Sequence, residues 1–247
     1  QGAAGALGGE ALNVEDVFST YLYEGNGSTQ TITNGIDLDG EGGLVWIKNR
    51  DQTDNHRLHD TVRGNPQNTL ITNSNLLAFD QVNSVTGFNN NGFDIGSYSQ
   101  VNTSGENFTS WTFRKAEKFF DVVTYTGDGT SGRTVSHNLG TTVGSIIVKR
   151  TDTSGNSWLV FHRRVGATKT LVLNGTNSQI TGSVYWNNTA PTSTEFTVGN
   201  STSVNASGGT YVAYLFAHND GDADFGPDAD ADIIKCGSYT GNGGTQN

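Results

Sequence analysis

The most chemically suggestive stretch of the chain is a run of aspartates near its C-terminal end. It contains Asp220, followed by Asp222, Asp224, Asp228, Asp230 and Asp232. Carboxylates spaced along a glycine-containing loop supply the oxygen ligands that hard cations such as calcium prefer. The EF-hand pattern is incomplete, because the glycine at its sixth position and the glutamate at its twelfth are missing. The stretch therefore predicts a solvated acidic linker, with a calcium site formed by the last five aspartates as the alternative.

Three tryptophans are candidate platforms for sugar rings, namely Trp46, Trp158 and Trp186. Exposed amphipathic rings serve carbohydrate and protein recognition alike, and Tyr98 and Tyr185 belong to the same hypothesis. Most aromatic side chains of a thin β-sandwich nevertheless belong to its core. A core role is therefore the favoured interpretation, and glycan stacking is the alternative.

The remaining reactive side chains match no catalytic motif. The chain has neither a Gly-x-Ser-x-Gly elbow nor a His-Glu-x-x-His pair. Its single cysteine, Cys236, excludes a disulfide framework, a Cys-x-x-Cys redox site and a zinc knuckle. His59 and His162 hold corresponding places in two similar segments, which favours a structural role as donors to backbone carbonyls. We predict a protein that is not an enzyme and that, calcium apart, binds no cofactor.

One five-residue motif occurs three times, as Tyr23-Glu-Gly-Asn-Gly27, Tyr125-Thr-Gly-Asp-Gly129 and Tyr239-Thr-Gly-Asn-Gly243. We call these the tyrosine segments. Glycine and Asn or Asp supply the positive φ angles of tight hairpin turns, so each segment predicts the first hairpin of a repeating unit. The spacing of the copies is that of domains and not of a short solenoid repeat.

A second motif recurs as Val101-Asn-Thr-Ser-Gly105 and Val204-Asn-Ala-Ser-Gly208, which we call the asparagine turns. Between the two motifs the chain alternates apolar and polar residues with turn residues as punctuation, which predicts short strands. In the first copy these strands cover residues 20–23, 29–33, 43–48, 57–62, 69–72, 92–95 and 108–114. The second copy repeats the pattern, so one all-β fold is used twice.

Composition agrees with this fold class and excludes some functions. The chain of 247 residues has 33 glycines and no methionine, and its aromatic and β-branched residues suit thin sandwich cores. Its net charge of −10, with only 14 Lys and Arg, disfavours binding to nucleic acid. No apolar run approaches the ~20 residues of a membrane span, and no signal peptide opens the chain.

These observations predict an all-β chain of two tandem antiparallel β-sandwiches. The boundaries are residues 1–11 for a small-residue N-terminal segment, 12–116 and 117–220 for the two sandwiches, and 221–247 for an acidic linker with the first strand of a truncated third unit. The joint between the sandwiches is short, which predicts units in a row at a definite angle. We expect the chain to be a piece of a longer polypeptide.

Four strings in the chain resemble the repeated domains of tail-associated proteins of marine bacteriophages. They cover residues 13–23, 42–50, 112–125 and 232–239. The resemblance implies a jelly-roll or concanavalin-like sandwich, a fold that lectins also use. It further implies a location in the virion tail or tail fibre, extracellular once released, with other tail proteins and host-surface glycans as partners.

The favoured function is therefore a structural part of a virion tail that contacts the host surface. Symmetric assembly is expected of such parts, as a trimer or hexamer around the tail axis. The competing function is that of a secreted, lectin-like carbohydrate-binding module. Neither function involves nucleic acid or insertion into a membrane.

Overall fold

The computed structural model of the chain describes residues 11–243, and almost all of the predicted N-terminal segment lies outside them. We call residues 12–116 the first half and residues 117–220 the second half. The elements of the first half are α1 (Val14–Val17), β1 (Phe18–Glu24), β2 (Gln30–Thr33), β3 (Gly43–Asn49), β4 (Arg57–Asp60), β5 (Asn68–Ile71), β6 (Phe79–Asp80), β7 (Val85–Asn89), β8 (Gly92–Ile95), α2 (Ser99–Asn102) and β9 (Asn107–Arg114).

The elements of the second half follow the same course. They are β10 (Phe120–Thr126), β11 (Arg133–Ser136), β12 (Val143–Arg150), β13 (Leu159–His162), β14 (Lys169–Val172), β15 (Ile180–Thr181), α3 (Ser183–Trp186), β16 (Glu195–Val198), α4 (Thr202–Asn205) and β17 (Thr210–Ala217). The all-β fold class is confirmed, and each of the seven strands predicted in the first half corresponds to an observed strand. Among the described residues, no helix is long and apolar enough to cross a membrane.

The halves share one topology. Each has a large antiparallel sheet of six strands, in the order β1-β9-β3-β4-β5-β6 and β10-β17-β12-β13-β14-β15. A smaller sheet accompanies each large one, with the order β2-β8-β7 in the first half and β11-β16 in the second. In both halves the first strand lies at the edge of the large sheet and pairs with the last strand of that half.

The two recurring motifs contact each other in both halves. In the first half the Tyr23 hydroxyl donates to the Val101 carbonyl over 2.8 Å, and the Asn26 N–H donates to the Asn102 side chain over 2.8 Å. Asn102 is fully buried and donates in turn to the Gly96 carbonyl over 2.9 Å. The tyrosine segment and the asparagine turn therefore close the half as a matched pair.

The second half repeats these contacts. The Tyr125 hydroxyl donates to the Val204 carbonyl over 2.7 Å, and the Asp128 N–H donates to the Asn205 side chain over 2.9 Å. Buried Asn205 donates to the Gly199 carbonyl over 3.0 Å. The internal similarity of the sequence is thus strongest where one motif binds the other.

The first two tyrosine segments are not hairpin turns, and for them that prediction is wrong. Strand β1 pairs with β9, whereas β2 pairs with β8, so residues 25–27 carry the chain from one sheet to the other. Glycine is required because the backbones approach closely: a Cβ on Gly25 would lie 2.1 Å from the Thr103 carbonyl oxygen. At Gly127 the corresponding distance to the Ala206 oxygen is 2.2 Å.

Both large sheets are apolar on both faces. In β3, Val45 points into the core of its own sandwich while Leu44 points away from it. In β17, Ala213 points into the core of its own sandwich while Val212 and Tyr214 point away from it. Each sheet therefore has to be covered twice.

The outer faces of the two large sheets cover each other in a central cluster. Its buried members are Val17, Leu44, Leu58, Leu70, Phe119, Phe120, Val122, Trp158, Val212, Tyr214, Ala223 and Phe225. Corresponding residues meet: the rings of Phe113 and Phe216 lie edge to face with centroids 5.3 Å apart. The halves thus lie back to back, and the predicted arrangement of units in a row is wrong because it left the second apolar face of each sheet exposed.

Polar contacts also join the halves. The indole N–H of Trp158 donates to the Ile71 and Ser74 carbonyls, at 3.0 Å in each case. The backbone N–H of Ala78 donates to the Thr151 carbonyl over 2.8 Å. The loop that follows β5 is therefore held on the second half.

The acidic stretch is packed and is not a free linker. Phe225 and Ala223 are buried in the central cluster, and Phe225 bridges to Ala231. The backbone N–H of Gly226 donates to the Leu12 carbonyl over 2.8 Å, which ties the stretch to the start of the first half. Residues 233–243 form no strand in the structure, so the predicted first strand of a third unit stays a prediction.

The shared cluster predicts that the two halves unfold together. Trp158→Ala removes a fully buried indole and its two hydrogen bonds to the first half, so we expect a loss of about 3–5 kcal/mol in the free energy of unfolding. Urea unfolding followed by hydrogen exchange should show protection lost in both large sheets at once. Leu76→Ala, at an exposed site in the contacting loop, is the control and should be nearly neutral. Two separate transitions, only one of them shifted, would contradict the prediction.

Candidate functional site

A groove opens between the halves beside the central cluster. Its volume is about 670 Å³, enough for a small polar ligand or part of a chain. The first half contributes the turn after β4 and the start of β5, and the second half contributes the edge strand β10 and the start of β17. The lining residues are Val62, Arg63, Asn68, Ala78, Thr124, Tyr125, Thr126, Thr151, Thr210 and Tyr211.

The second-half wall of the groove is rich in threonine hydroxyls. Thr124 and Thr126 are exposed on the edge strand, where alternate residues point to the same face. The Thr151 and Thr210 hydroxyls hydrogen-bond to each other over 2.6 Å. A wall of this kind both donates and accepts hydrogen bonds, which suits a neutral, hydroxylated ligand.

The first-half wall is organised by an ion pair. Arg63 Nε lies 2.6 Å from Asp60 Oδ2, and both side chains are almost fully buried. The same carboxylate accepts a 2.6 Å hydrogen bond from the Tyr214 hydroxyl of the second half. Arg63 also donates to the side chain and the carbonyl of Asn68. The wall is therefore rigid, and its cation is already neutralised.

The pKa directions in this network follow from burial and charge. Burial raises the pKa of Tyr214 well above its ordinary value, and the neighbouring Asp60 carboxylate raises it further. For Arg63, burial is the largest single effect and opposes the charged form, but Asp60 and Tyr214 together outweigh it and the pKa is raised. Tyr214 stays protonated and Arg63 stays charged, so this network holds the interface and transfers no proton near neutral pH.

The groove has hydrogen-bonding groups but no stacking platform and no acid pair. The Tyr125 and Tyr211 hydroxyls are used within the second half, on Val204 and Thr202, and both rings are buried. No Asp or Glu is among the residues that line it. Glycoside hydrolysis needs two carboxylates across a cleft, and these lining residues supply none.

Two of the three tryptophans are buried, so the favoured core role is observed for Trp158 and Trp186 and the alternative of glycan stacking is wrong for them. Trp158 lies in the central cluster, and Trp186 lies in the core of the second sandwich against Phe161. Trp46 is half-buried, and its indole N–H donates to His56 over 3.3 Å. The three rings lie in different environments and form no shared platform, because sandwich cores take up large rings first.

The predicted calcium ligands do not converge. Asp222 accepts from the Thr141 hydroxyl, Asp224 pairs with Lys118 over 3.1 Å, and Asp232 pairs with Lys235 over 3.2 Å. Asp228 and Asp230 are exposed. Within the described residues, no three His, Cys, Asp or Glu side chains lie together as a metal site requires.

Hydrogen bonds hold two of these aspartates in the charged form. The Thr141 hydroxyl, followed by the backbone N–H of Asp220, lowers the pKa of Asp222. The backbone N–H of Gly221 lowers the pKa of Asp232 and lies 2.9 Å from its carboxylate. The carboxylates thus serve the packing of their own stretch.

The predicted role of a histidine as donor to a backbone carbonyl is observed at His59 but not at His162. Its Nδ1 donates to the Pro66 carbonyl over 2.8 Å, and its Nε2 lies 3.1 Å from the Ser84 hydroxyl. His162 instead accepts from the Arg164 N–H over 3.3 Å. The strand registers also correct the sequence alignment, because His59 pairs with Val45 as Phe161 pairs with Ile146.

Strand β4 carries buried polar residues that the sequence analysis missed. All four of its residues are buried, including Arg57, whose guanidinium lies 5.1 Å from the Tyr98 ring centre and donates to Tyr98 and Gln100. Strand β13 in the second half is largely apolar. The sequence carried a signal for this difference: Arg57–Asp60 contains three polar residues, whereas Leu159–His162 contains one.

Comparison with known proteins places the chain in a family but gives no function. A family model described as Domain of unknown function (DUF7483) matches residues 13–247, and the chain belongs to this family. No curated protein and no solved structure matches the chain.

Buried His59 predicts a stability that falls in mild acid. Burial lowers its pKa to about 3, against 6.5 for an ordinary histidine, and Arg63 and Arg57 lower it further while the Pro66 carbonyl opposes them. Below pH 6.5 the unfolded chain takes up a proton that the folded chain does not. The full contribution is present above pH 6.5 and is lost as the pH falls towards 3. Between pH 6.5 and 5 we expect a loss of about 1.5 kcal/mol from this group.

Urea unfolding at several pH values measures this loss. His59→Phe, which copies Phe161 of the second half, should flatten the profile between pH 6.5 and 5. His162→Phe, at a half-buried site, is the matched control and should flatten it less. Parallel profiles for the wild type and His59→Phe would contradict the assignment.

The arrangement of the aspartates predicts that calcium leaves the chain unchanged. Addition of millimolar calcium should not shift Tm, since three of the carboxylates are engaged with Thr141, Lys118 and Lys235. Magnesium at the same ionic strength is the control for screening. A Tm rise specific to calcium and abolished by Asp228→Asn would show that the loop rearranges around an ion.

Proposed function

We propose that this member of the DUF7483 family is a structural, non-enzymatic component of a bacteriophage virion tail, as a tail fibre or tail-associated protein. The resemblance of residues 13–23, 42–50, 112–125 and 232–239 to tail-associated proteins motivates the proposal. The main support for the proposal is that the residues which recur in the two halves are scaffold residues. The tyrosine segments and asparagine turns, which build the scaffold, recur, whereas the buried polar set of β4 does not.

The physical character of the chain supports a location on a particle outside the cell. The halves share one apolar cluster and are joined by a short connection, so they are packed together as one unit. The chain has no methionine to oxidise, and its single cysteine, Cys236, is half-buried. These features suit a virion part that is extracellular once the particle is released.

An exposed edge supports assembly with other tail proteins or with further copies. Strand β1 is the edge of its sheet, and it exposes Leu22 and Tyr21. An edge strand with apolar side chains is normally covered by a partner. Copies arranged as a trimer or hexamer around the tail axis would supply one.

The groove supports a second candidate, a secreted carbohydrate-binding module. Its threonine hydroxyls and the absence of carboxylates among its lining residues suit retention of a glycan without cleavage. In a tail protein the same groove would serve contact with the host surface. The two candidates therefore share a ligand class and differ in where the protein resides.

Particle composition tests the structural proposal. Purified virions should contain the chain in multiples of three or six copies, and antibody labelling in electron micrographs should mark the tail. Its absence from purified particles, with the chain present free in the medium, would contradict the tail assignment and favour the secreted module.

Binding and turnover assays test the role of the groove. A glycan array should show retention, and the bound polysaccharide should not be shortened. Thr124→Val with Thr126→Val should weaken binding about 10-fold or more, because two exposed hydroxyls are lost. Thr33→Val, exposed on the small sheet of the first half, is the matched control. Release of shortened chains would contradict the non-enzymatic assignment.

A further inference from the structure

The third tyrosine segment has the backbone of the first two but not their surroundings. Tyr23 and Tyr125 are each 8% exposed, whereas Tyr239 is 86% exposed. Gly243 has a φ of +73°, close to the +70° of Gly27 and the +75° of Gly129. The glycine that ends the segment therefore has the same left-handed φ at all three places.

The space around the first glycine of each tyrosine segment shows the same difference in surroundings, independently of the tyrosine. A Cβ on Gly25 or Gly127 would lie 2.1 or 2.2 Å from a carbonyl of the adjacent asparagine turn. A Cβ on Gly241 would meet no described atom within 4 Å. Only glycine fits the occupied sites, yet glycine is present at the open site as well. Glycine at position 241 would allow a backbone carbonyl to approach closely, but no carbonyl among the described residues does so in this structure.

The start of the third segment is anchored where the other two begin. Ile233 packs against the central cluster, as Phe119 and Val17 do at the corresponding positions before the second and first tyrosine segments. The backbone N–H of Ile233 donates to the Asn219 side chain over 3.1 Å. The segment therefore leaves the central cluster in a defined place and is exposed at its far end.

We propose that residues 235–243 form a docking strand for a further copy of the repeated unit. Its partner is the last strand of that copy together with an asparagine turn of the Val-Asn-x-Ser-Gly type. Tyr239 would donate to the valine carbonyl of that turn, and the Asn242 N–H would donate to the asparagine side chain. Both contacts have two precedents in the chain.

The two asparagine turns already present are not the partner. Asn102 and Asn205 are fully buried, and each is hydrogen-bonded to the tyrosine segment of its own half. The third segment therefore calls for a turn from an additional unit. In both halves the tyrosine segment is bound by the turn of its own unit, so the occupant we propose is a unit covalently continuous with the third segment.

A lengthened chain tests the proposal. In it, residues 130–220 are repeated directly after Gly243, so that the third segment meets an asparagine turn of the known type. Amide exchange followed by mass spectrometry should show residues 237–243 exchanging about 100-fold or more slowly than in the 247-residue chain. The peptides that report on this segment occur once in the lengthened chain, so their signal is unambiguous.

Two glycine variants separate docking from mere burial. Gly241→Ala should abolish the new protection in the lengthened chain, because its Cβ would strike a carbonyl, and should leave Tm of the 247-residue chain unchanged. Gly237→Ala is the matched control and should keep the protection, because Val123 and Tyr21 carry side chains at the corresponding positions.

Three results would overturn the proposal. They are equally fast exchange of residues 237–243 in both chains, failure of the added residues to fold, and retention of the protection in Gly241→Ala as in Gly237→Ala. None of these results depends on the location of the protein in a particle. The docking strand can therefore fail while the tail assignment stands, and the tail assignment can fail while the strand docks.

Discussion

An antiparallel sheet whose strands are apolar on both faces has to be covered on both faces, and this requirement determines the whole arrangement. Each half covers one face of its large sheet with a smaller sheet. The other face carries Leu44 in the first half and Val212 in the second, and the two faces cover each other. Burial of apolar surface at roughly 25 cal/mol per Å² makes this face-to-face contact the largest single link between the halves. The short joint then follows as a consequence of the packing.

The two halves share the same scaffold, but the polar contacts between them are not symmetric. Phe113 meets its counterpart Phe216 directly, as residues of two related units do when they pack back to back. Asp60, in contrast, receives the hydroxyl of Tyr214, while the corresponding contact in the reverse direction would involve His162 and Trp111 and is not made. In β4, Asp60 has its partner in the other half, whereas Arg57 and His59 are hydrogen-bonded to residues of the first half.

Alternation and turn residues were sufficient to predict seven of the nine strands of the first half, since each signal depends on neighbours in the sequence; β6 and β7 were missed. They were not sufficient for the pairing of β1 with β9, which joins residues far apart, nor for the role of Gly25, whose constraint comes from the Thr103 carbonyl. The site was harder to predict still. A core role was the favoured interpretation for Trp158, but the core in which it lies exists only because two halves meet. The groove is likewise lined by residues from both halves.

The points where the chain enters and leaves the halves all lie at one place. Phe18 pairs with Phe113, and Phe120 pairs with Phe216, so the first residue of each opening strand faces the end of each closing strand. The four rings pack together, with centroids of Phe18 and Phe113 4.7 Å apart. A force applied along the polypeptide would therefore act mainly on this cluster of four phenylalanine rings. The two sandwiches lie to the side of the cluster and would carry little of the force.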